Sequence, residues 1–102
     1  MRKTDRPHDQ AVIELLRQDP AFAADYIAAA LEGTDQPGGQ VALLAALRQV
    51  ADAQGVATVA ERAGLARESL YRALSSKGNP TLKTLVAALH ALGLRLTVKE
   101  AA

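Results

Sequence analysis

A group of charged and polar side chains falls on one face of a predicted helix. At about 100° per residue these side chains occupy a single arc of roughly 140°, whereas Leu70 and Ala73 point the other way. The arc consists of Arg67, Glu68, Tyr71, Arg72 and Ser75. Arginine and tyrosine are suited to contacts with base edges and phosphates. We therefore expect this face to bind DNA, and the alternative is an ordinary solvated helix face.

The segment around this face, VATVAERAGLARESLYRAL at residues 56–74, predicts a helix-turn-helix. Ala60 stands where two short helices would approach most closely, so a larger side chain would separate them. Gly64 falls in the turn and can adopt the positive φ that ends the first helix. The alternative is an ordinary turn in an alanine-rich helical bundle. The positions expected to be buried between the helices are Val59, Ala60, Ala63, Leu65, Leu70 and Ala73.

Length and composition favour one small helical domain. The chain has 102 residues, only three of them aromatic, and alanine is the commonest type. We therefore predict an all-α fold. Cysteine is absent, which excludes disulfides and thiolate metal sites. Without a signal sequence or a long apolar run, we expect a cytoplasmic protein that does not contact the membrane.

Charge is distributed unevenly along the chain. The formal net charge is +1, but residues 1–50 hold five cations against seven anions. Residues 51–102 hold seven cations against four anions. The basic half contains the predicted helix-turn-helix, which favours a nucleic-acid partner.

Catalytic and metal-binding chemistry finds little support in the sequence. His8 and His90 are the two histidines, and neither has a carboxylate pair at metal-ligand spacing. His90 flanks an apolar helix stripe and is expected to lie at its boundary. No glycine-rich phosphate loop is present. We expect no enzymatic activity, no metal and no cofactor.

Three helices and one loop are expected before the helix-turn-helix, because apolar residues recur at the 3.6-residue period and are interrupted by glycine and proline. Asp19 is expected to cap the second helix, with Pro20 at its first position. Gly55 is expected to end the third helix. In chain order, the predicted elements are a frayed arm over residues 1–7, helices over residues 8–18, 20–32 and 40–54, and a loop over residues 33–39.

One helix and one strand are expected after the helix-turn-helix. Asn79 and Pro80 block helical continuation, and Thr81 can then cap a last helix that Gly93 ends. Residues 94–99 alternate apolar and polar side chains, which is typical of a strand. A lone strand needs a partner, either the same strand of a second subunit or a partner protein. The alternative is a disordered tail.

The sequence resembles a known family. Residues 41–98 look like the lambda-repressor-like domains, in which the helix-turn-helix is formed by the second and third of five helices. The segments ALRQVADAQG, AERAGLARESLYRALSSKGNP and TLKTLVAALHALGLRL are similar to the antidote (antitoxin) family of bacterial addiction modules, of the HigA-like type with an Xre-type motif. DPAFAADYIAAALE resembles the leading segment of that family, so the resemblance covers about residues 8–99.

The resemblance implies a division of the chain. A five-helix DNA-binding domain is expected over residues 40–99, with a short C-terminal strand as an option. It would be preceded by one or two extra helices within residues 1–39, which would serve toxin or dimer contacts.

The resemblance also implies which side chains read bases. Arg67 and Glu68 would open the recognition helix, where side chains reach base edges first. Arg67 would donate two hydrogen bonds to a guanine, and Glu68 would accept one from a cytosine amino group. Arg72 would reach a base or a phosphate, and Tyr71 a thymine methyl group or a phosphate. Half-buried packing is the alternative for Tyr71, and a salt bridge to Arg72 is the alternative for Glu68.

Phosphate contacts are expected near the start of the first helix of the pair, after the second helix, and at the start of the last helix, where free N–H groups attract anions. Ordinary helix capping is the alternative at each position. The expected residues are Thr58, Ser75, Lys77, Thr81 and Lys83.

One position departs from the pattern of the resembled domains. Many of them have serine or threonine just before the recognition helix, whereas this chain has Ala66. A side-chain cap is therefore expected to be missing, at a typical cost of about 1 kcal/mol.

The implied function is that of a DNA-binding antitoxin in a type II module. It would bind its own operator as a homodimer, because one such helix reads only about half a turn of duplex. It would repress its own promoter and neutralise a RelE-like or HigB-like toxin. The alternatives are a free-standing repressor and a helical interaction module that does not bind DNA.

Overall fold

The computed structural model describes residues 5–102, with side chains described from His8 onward. This part of the chain contains six α-helices and no strand, so the prediction of an all-α fold holds for it. None of these helices is long and apolar enough to cross a membrane. The helices are Asp5–Gln18 (α1), Phe22–Glu32 (α2), Gly39–Gln54 (α3), Val56–Ala63 (α4), Arg67–Leu74 (α5) and Leu82–Ala91 (α6).

Helix α3 is the centre of the fold, because it packs against α1, α2, α4 and α5, while α6 packs on α4. Most of its apolar side chains beyond the first turn are buried on several sides of the helix, and Leu47 at its middle has no exposed surface. Burying one leucine typically contributes about 1.5–3 kcal/mol. One core cluster includes Leu16 and Ile27 of the leading helices as well as Val59 and Leu70 of the following pair. Removing either end of the chain would therefore expose this core.

The leading helices differ in detail from the prediction. Helix α1 begins at Asp5, so the last three residues of the expected arm are helical, and the remainder of that arm lies outside the described residues. Proline at position 7 is tolerated because N–H groups in the first turn have no intrahelical partner. The predicted cap at Asp19 is wrong. Helix α2 begins at Phe22, its N-cap is Ala21, and Asp19 contributes only its main-chain carbonyl, which accepts from the N–H of Phe22 at 3.0 Å.

The boundaries around α3 and α6 follow the local signals. Gly55 ends α3 with φ +99°, as predicted. The side-chain oxygen of Thr81 accepts from the N–H of Thr84 at 3.1 Å, which confirms the predicted cap of α6. Gly93 has φ +85° and directs the chain away from α6. The N–H of Leu94 then bonds to the carbonyl of Leu89 at 2.9 Å.

One C-terminal expectation was wrong, and a second is not tested by a single chain. Only four helices follow residue 38 in the described part of the chain, not five. Residues 94–102 form neither a helix nor a strand. A strand exists only where its N–H and C=O groups form a ladder with a second strand, and residues 5–102 supply none. Residues 94–102 are therefore extended without a ladder within this chain, and pairing of residues 94–99 with a second chain stays a prediction.

Candidate nucleic-acid interface

Helices α4 and α5 are joined by a tight turn at residues 64–66. Gly64 adopts φ +72°, as predicted, and its N–H bonds to the carbonyl of Glu61 at 3.1 Å. The N–H of Leu65 bonds to the carbonyl of Ala60 at 2.9 Å, which completes the end of α4. The side chains expected between the two helices are covered: Val59, Ala60 and Leu70 are buried, and Ala63, Leu65 and Ala73 are partly buried.

The outward face of α5 carries the predicted polar group. Arg67, Glu68 and Arg72 are exposed, and Tyr71 is 43% exposed. Leu70 is buried on the opposite side, so the predicted division of the helix into two faces is confirmed. Glu68 and Arg72, both within the described residues, form no ion pair with each other. The local salt bridge considered for Glu68 is therefore absent, and both side chains extend into solvent.

The start of α5 lacks a side-chain cap, as predicted from Ala66. The backbone of Ala66 is extended, with φ −69° and ψ 150°, and its carbonyl accepts from the N–H of Leu70 at 3.0 Å. No side chain at the N-cap accepts from the first N–H groups of the helix. Such groups carry a partial positive charge that favours an approaching anion.

Of the five residues expected to contact phosphates, three are exposed side chains and two hydrogen-bond within the protein. Thr58 in the first turn of α4, Lys77 after α5 and Lys83 in the first turn of α6 are exposed side chains. Ser75 donates its hydroxyl to the carbonyl of Arg72 at 2.9 Å. Thr81 is the cap of α6 and donates to the hydroxyl of Thr84 at 3.1 Å. Thr81 therefore caps α6, which was the alternative at that position. Ser75 likewise hydrogen-bonds to the last turn of α5.

Two residues of α3 that the sequence analysis did not select hold α5 in place. The carboxylate of Asp52 accepts a hydrogen bond from the hydroxyl of Tyr71 at 2.8 Å. One turn earlier on α3, the guanidinium of Arg48 donates to the carbonyl of Leu74, the last residue of α5. The only sequence signal for these two residues was that Arg48 and Asp52 carry opposite charges four residues apart on a mostly apolar helix. That spacing would have suggested a local ion pair rather than two contacts to another helix.

The environment of Tyr71 acts on the pKa of its hydroxyl in both directions, with a net increase. The hydrogen bond to Asp52 raises the pKa of Tyr71, and burial and the negative charge of Asp52 add to this effect. The positive charges of Arg67 and Arg48 act in the opposite direction but are smaller effects. The hydroxyl is therefore a committed donor, whereas the partly exposed ring remains accessible.

The loop after α5 packs tightly against the end of that helix. A Cβ atom at Gly78 would lie 2.1 Å from the carbonyl oxygen of Ala73, so no residue with a side chain fits there without movement. The N–H of Gly78 bonds to the carbonyl of Ser75 at 2.8 Å. This close approach explains the glycine in the segment SSKGNP and fixes the backbone that carries Lys77.

A buried polar network joins the leading helices to α3. Gln49 is 7% exposed, and its amide nitrogen donates to the carboxylate of Asp9 at 2.6 Å. Its amide oxygen accepts from the hydroxyl of Tyr26. Burial raises the pKa of Tyr26, and the charge of Asp9 raises it further. These three side chains fix α1 and α2 on α3, so the leading helices are held in one arrangement.

An apolar groove of about 530 Å³ lies between α2, α6 and the extended C-terminal segment. The apolar residues that line it include Ile27, Leu31, Leu89, Leu94 and Leu96. At its edge, Lys99 and Glu32 form an exposed ion pair at 3.5 Å. Within residues 5–102, the backbone of residues 95–102 makes no hydrogen bond to other backbone groups.

Exposed carboxylates are frequent in and between the leading helices. Residues 8–39 contain six carboxylates and one arginine, and all of these carboxylates except Asp9 are exposed. No three histidine, aspartate or glutamate side chains come together to hold a metal ion in the part of the chain that the structure describes.

Comparisons with known proteins give one family and one relative. The family described as "Probable addiction module antidote protein" matches residues 8–100. An uncharacterized protein of Haemophilus influenzae (strain Rd) is 41% identical over 58 residues, which is 57% of this chain and 60% of that protein. The chain therefore covers less than two thirds of this relative's length. No solved structure matches. Because the family match extends over nearly the whole chain, the chain belongs to the family of probable addiction module antidote proteins.

Proposed function

We propose that this chain is the DNA-binding antitoxin of a type II toxin–antitoxin module, with a lambda-repressor-like, HigA-type helix-turn-helix formed by α4 and α5. The observation that carries the proposal is the outward face of α5, where Arg67 and Arg72 extend from a helix that α3 holds at two points. Base reading needs donors in fixed positions, because their hydrogen bonds are directional. Membership of the antidote family supports the role as an antitoxin.

In this proposal, α5 enters the major groove and its first turn reads base edges. Arg67 donates two hydrogen bonds to a guanine, and Glu68 accepts from a cytosine amino group. Arg72 binds a base or a phosphate. The hydroxyl of Tyr71 is committed to Asp52, so its exposed ring supplies an apolar contact to a thymine methyl group.

Phosphate binding in this proposal depends first on the exposed side chains Thr58, Lys77 and Lys83. Ser75 and Thr81 would have to give up an intramolecular hydrogen bond to donate to a phosphate, so we assign them weaker contacts. The uncapped start of α5 supplies further N–H donors to a phosphate.

The operator of this protein would have two-fold symmetry. One recognition helix covers about half a turn of duplex, so a homodimer is needed to reach useful affinity and to define two half-sites. Binding to the promoter of its own gene would repress that gene.

The partner to be neutralised would be a RelE-like or HigB-like toxin. The resemblance implies that such toxins act on RNA and are basic. The exposed carboxylates of residues 8–39, including Glu14 of α1, Asp19 of the turn after it and Asp25 of α2, complement a basic partner and would speed encounter with it. The extended C-terminal segment, with its unpaired backbone, is a second part of the proposed toxin surface.

The test combines DNA binding with capture of the neighbouring gene's product. The protein should prefer a duplex from its own promoter over random duplex at about 50 mM salt, and affinity should fall steeply as salt rises. It should co-purify with the product of the adjacent reading frame. Promoter binding without such a partner would favour a free-standing repressor, and partner binding without DNA binding would favour an interaction module.

A further inference from the structure

Residues 94–99 form an extended segment that is held at both ends. At its start, the N–H of Leu94 bonds to the carbonyl of Leu89 at 2.9 Å. At its end, Lys99 forms the exposed ion pair with Glu32 at 3.5 Å. In the described part of the chain, residues 95–99 make no hydrogen bond to other backbone groups. The segment contains no proline, so every residue in it can donate and accept along a second strand.

The apolar side chains of this segment form a row that runs from the groove into solvent. Alternate side chains share a face in an extended chain, which places Leu94, Leu96 and Val98 together. Leu94 and Leu96 line the apolar groove beside α2 and α6. Val98 is 96% exposed, more than any other large apolar side chain among the described residues. A second strand laid beside the segment would cover the exposed end of this row.

The sequence of the segment is complementary to itself in one register. In an antiparallel pair related by a two-fold axis, one residue faces its own copy, and that residue fixes all other pairs. With Leu96 on the axis, Leu94 faces the second copy's Val98. In the same register, Arg95 faces Thr97. The apolar side chains of both copies then share one face, and no two charges of the same sign are directly opposite.

The neighbouring registers place charges unfavourably. With Thr97 on the axis, Arg95 would face Lys99, and like charges directly opposite each other are destabilising. With Arg95 on the axis, two guanidinium groups would face each other. With Val98 on the axis, Glu100 would face an apolar side chain. The charge pattern therefore selects both the occupant, a second copy of this segment, and the register.

We propose that residues 94–99 of two copies pair antiparallel about a two-fold axis at Leu96 and form the homodimer interface. This inference rests on the proposed function, which requires a dimer with two-fold symmetry, and such pairing supplies that symmetry. Val98 of each copy then lies opposite Leu94, at the edge of the other copy's groove. A strand has two edges, so the outer edge stays available to the toxin surface proposed above.

The first test uses introduced thiols, because the chain contains no cysteine. Leu96→Cys places two thiols opposite each other, within the Cα separation that a disulfide spans, so mild oxidation should convert most of this variant into a covalent dimer. A mixture of Leu94→Cys and Val98→Cys should form the mixed dimer. Thr97→Cys is the matched control, since its two copies would be displaced by about 7 Å along the strands and should cross-link little.

The second test measures the dimer without cross-links. Val98→Glu should raise the dissociation constant of the dimer about tenfold or more in sedimentation equilibrium, because each copy loses a covered valine and places a carboxylate beside the groove. The melting temperature of the monomer should stay the same, since Val98 is exposed in the single chain. The matched control is Leu82→Glu, which puts the same charge at a 70% exposed leucine of α6 and should change the dissociation constant by less than about twofold.

The outcomes separate this inference from the proposed DNA binding. A dimer that cross-links through Leu96→Cys but does not prefer its promoter duplex would keep the interface and overturn the DNA-binding function. A protein that prefers its promoter duplex but cross-links no better through Leu96→Cys than through Thr97→Cys would overturn this inference alone. Separation of the dimer by Leu82→Glu in place of Val98→Glu would likewise overturn it and assign the interface to α6.

Discussion

The guanidinium of Arg48 donates a hydrogen bond to the main-chain carbonyl of Leu74 at the C-terminal end of α5. Carbonyl groups in the last turn of a helix have no intrahelical partner and carry a partial negative charge, so a cation there is stabilising. Helix α5 is only eight residues long and lacks a side-chain cap at its other end. This contact therefore adds to the burial of Leu70 and Leu74 in fixing the helix on α3.

Replacing Arg48 should loosen α5. Arg48→Met keeps much of the side-chain volume but removes the donor and the charge, so the free energy of unfolding should fall by about 1–3 kcal/mol. Urea denaturation followed by circular dichroism measures this change. The matched control is Arg17→Met, since Arg17 forms only an exposed ion pair with Glu14 at 3.5 Å. That variant should change stability by less than about 0.5 kcal/mol.

Gly78 should not tolerate even a methyl group. Its Cβ position lies 2.1 Å from the carbonyl oxygen of Ala73, so Gly78→Ala forces the loop away from α5 and should cost about 1–3 kcal/mol. Gly33→Ala is the matched control, because the nearest atom to its Cβ position is a carbonyl oxygen at 3.7 Å and its φ is −91°. Equal stability of the two variants in urea denaturation would contradict the close approach.

Stability should fall at alkaline pH through two tyrosines. Tyr26 and Tyr71 both have pKa values raised above the ordinary value of 10.0, so the folded state retains their protons more strongly than the unfolded chain does. Their contribution is fully present below about pH 10 and is lost as pH rises through the folded pKa values. Tyr26→Phe removes one of the two ionisable hydroxyls, so it should reduce the slope of stability against pH in this range. The same variant should be less stable at pH 7, because Gln49 loses a hydrogen-bond donor. An unchanged alkaline slope in that variant would contradict the assignment for Tyr26.

Local signals were sufficient to predict most helix ends but not the contacts that hold α5. Gly55, Gly64 and Gly93 all adopt positive φ values at helix ends, and each could be predicted because the requirement acts within a few residues. The pairing of Asp52 with Tyr71 joins residues 19 positions apart, so no local sequence pattern predicts it. The exposed face of α5 was predicted correctly because helical periodicity alone determines which of its residues share a side.

The missing strand and the misplaced cap have physical explanations. Alternation at residues 94–99 is equally consistent with an extended segment beside an apolar groove, and a strand requires a ladder partner that a single-chain pattern cannot supply. Asp19 was expected to act through its side chain, but its main-chain carbonyl accepts from Phe22 instead, and the helix begins later. Helix boundaries of this kind depend on how the preceding turn packs.

Two substitutions should separate base reading from general attraction to DNA. Arg67→Ala should cost about 1–3 kcal/mol on the preferred duplex and relax the preference at one base position. Lys77→Ala should weaken binding to all sequences similarly and reduce the slope of log affinity against log salt by about 1. Gel shifts over a range of salt concentrations measure both effects, with Arg17→Ala on α1 as the control for loss of one positive charge. If Arg67→Ala lowers the affinity for the preferred and the random duplex equally, Arg67 does not read a base.

Neutralising exposed carboxylates in the turn between α1 and α2 and on α2 should slow toxin binding without affecting DNA binding. Deleting residues 1–39 is an unsuitable test because Leu16 and Ile27 belong to the core, so the fold itself would be disturbed. Asp19→Asn combined with Asp25→Asn instead removes two exposed charges with little change of shape. If these helices attract a basic toxin, the association rate at low salt should fall roughly three- to tenfold, and the difference should shrink as salt rises.

The matched control for that experiment is Glu61→Gln, which removes an exposed carboxylate from α4 rather than from the leading helices. Surface-based kinetics with the product of the neighbouring gene measures the rates, and gel shifts on the promoter duplex verify that DNA binding survives. A dissociation rate that stays constant while the association rate falls identifies long-range attraction, since these charges then act before contact. If the double variant binds the toxin as fast as the wild type at low salt, or if Glu61→Gln slows binding equally, the leading helices are not the surface that attracts it.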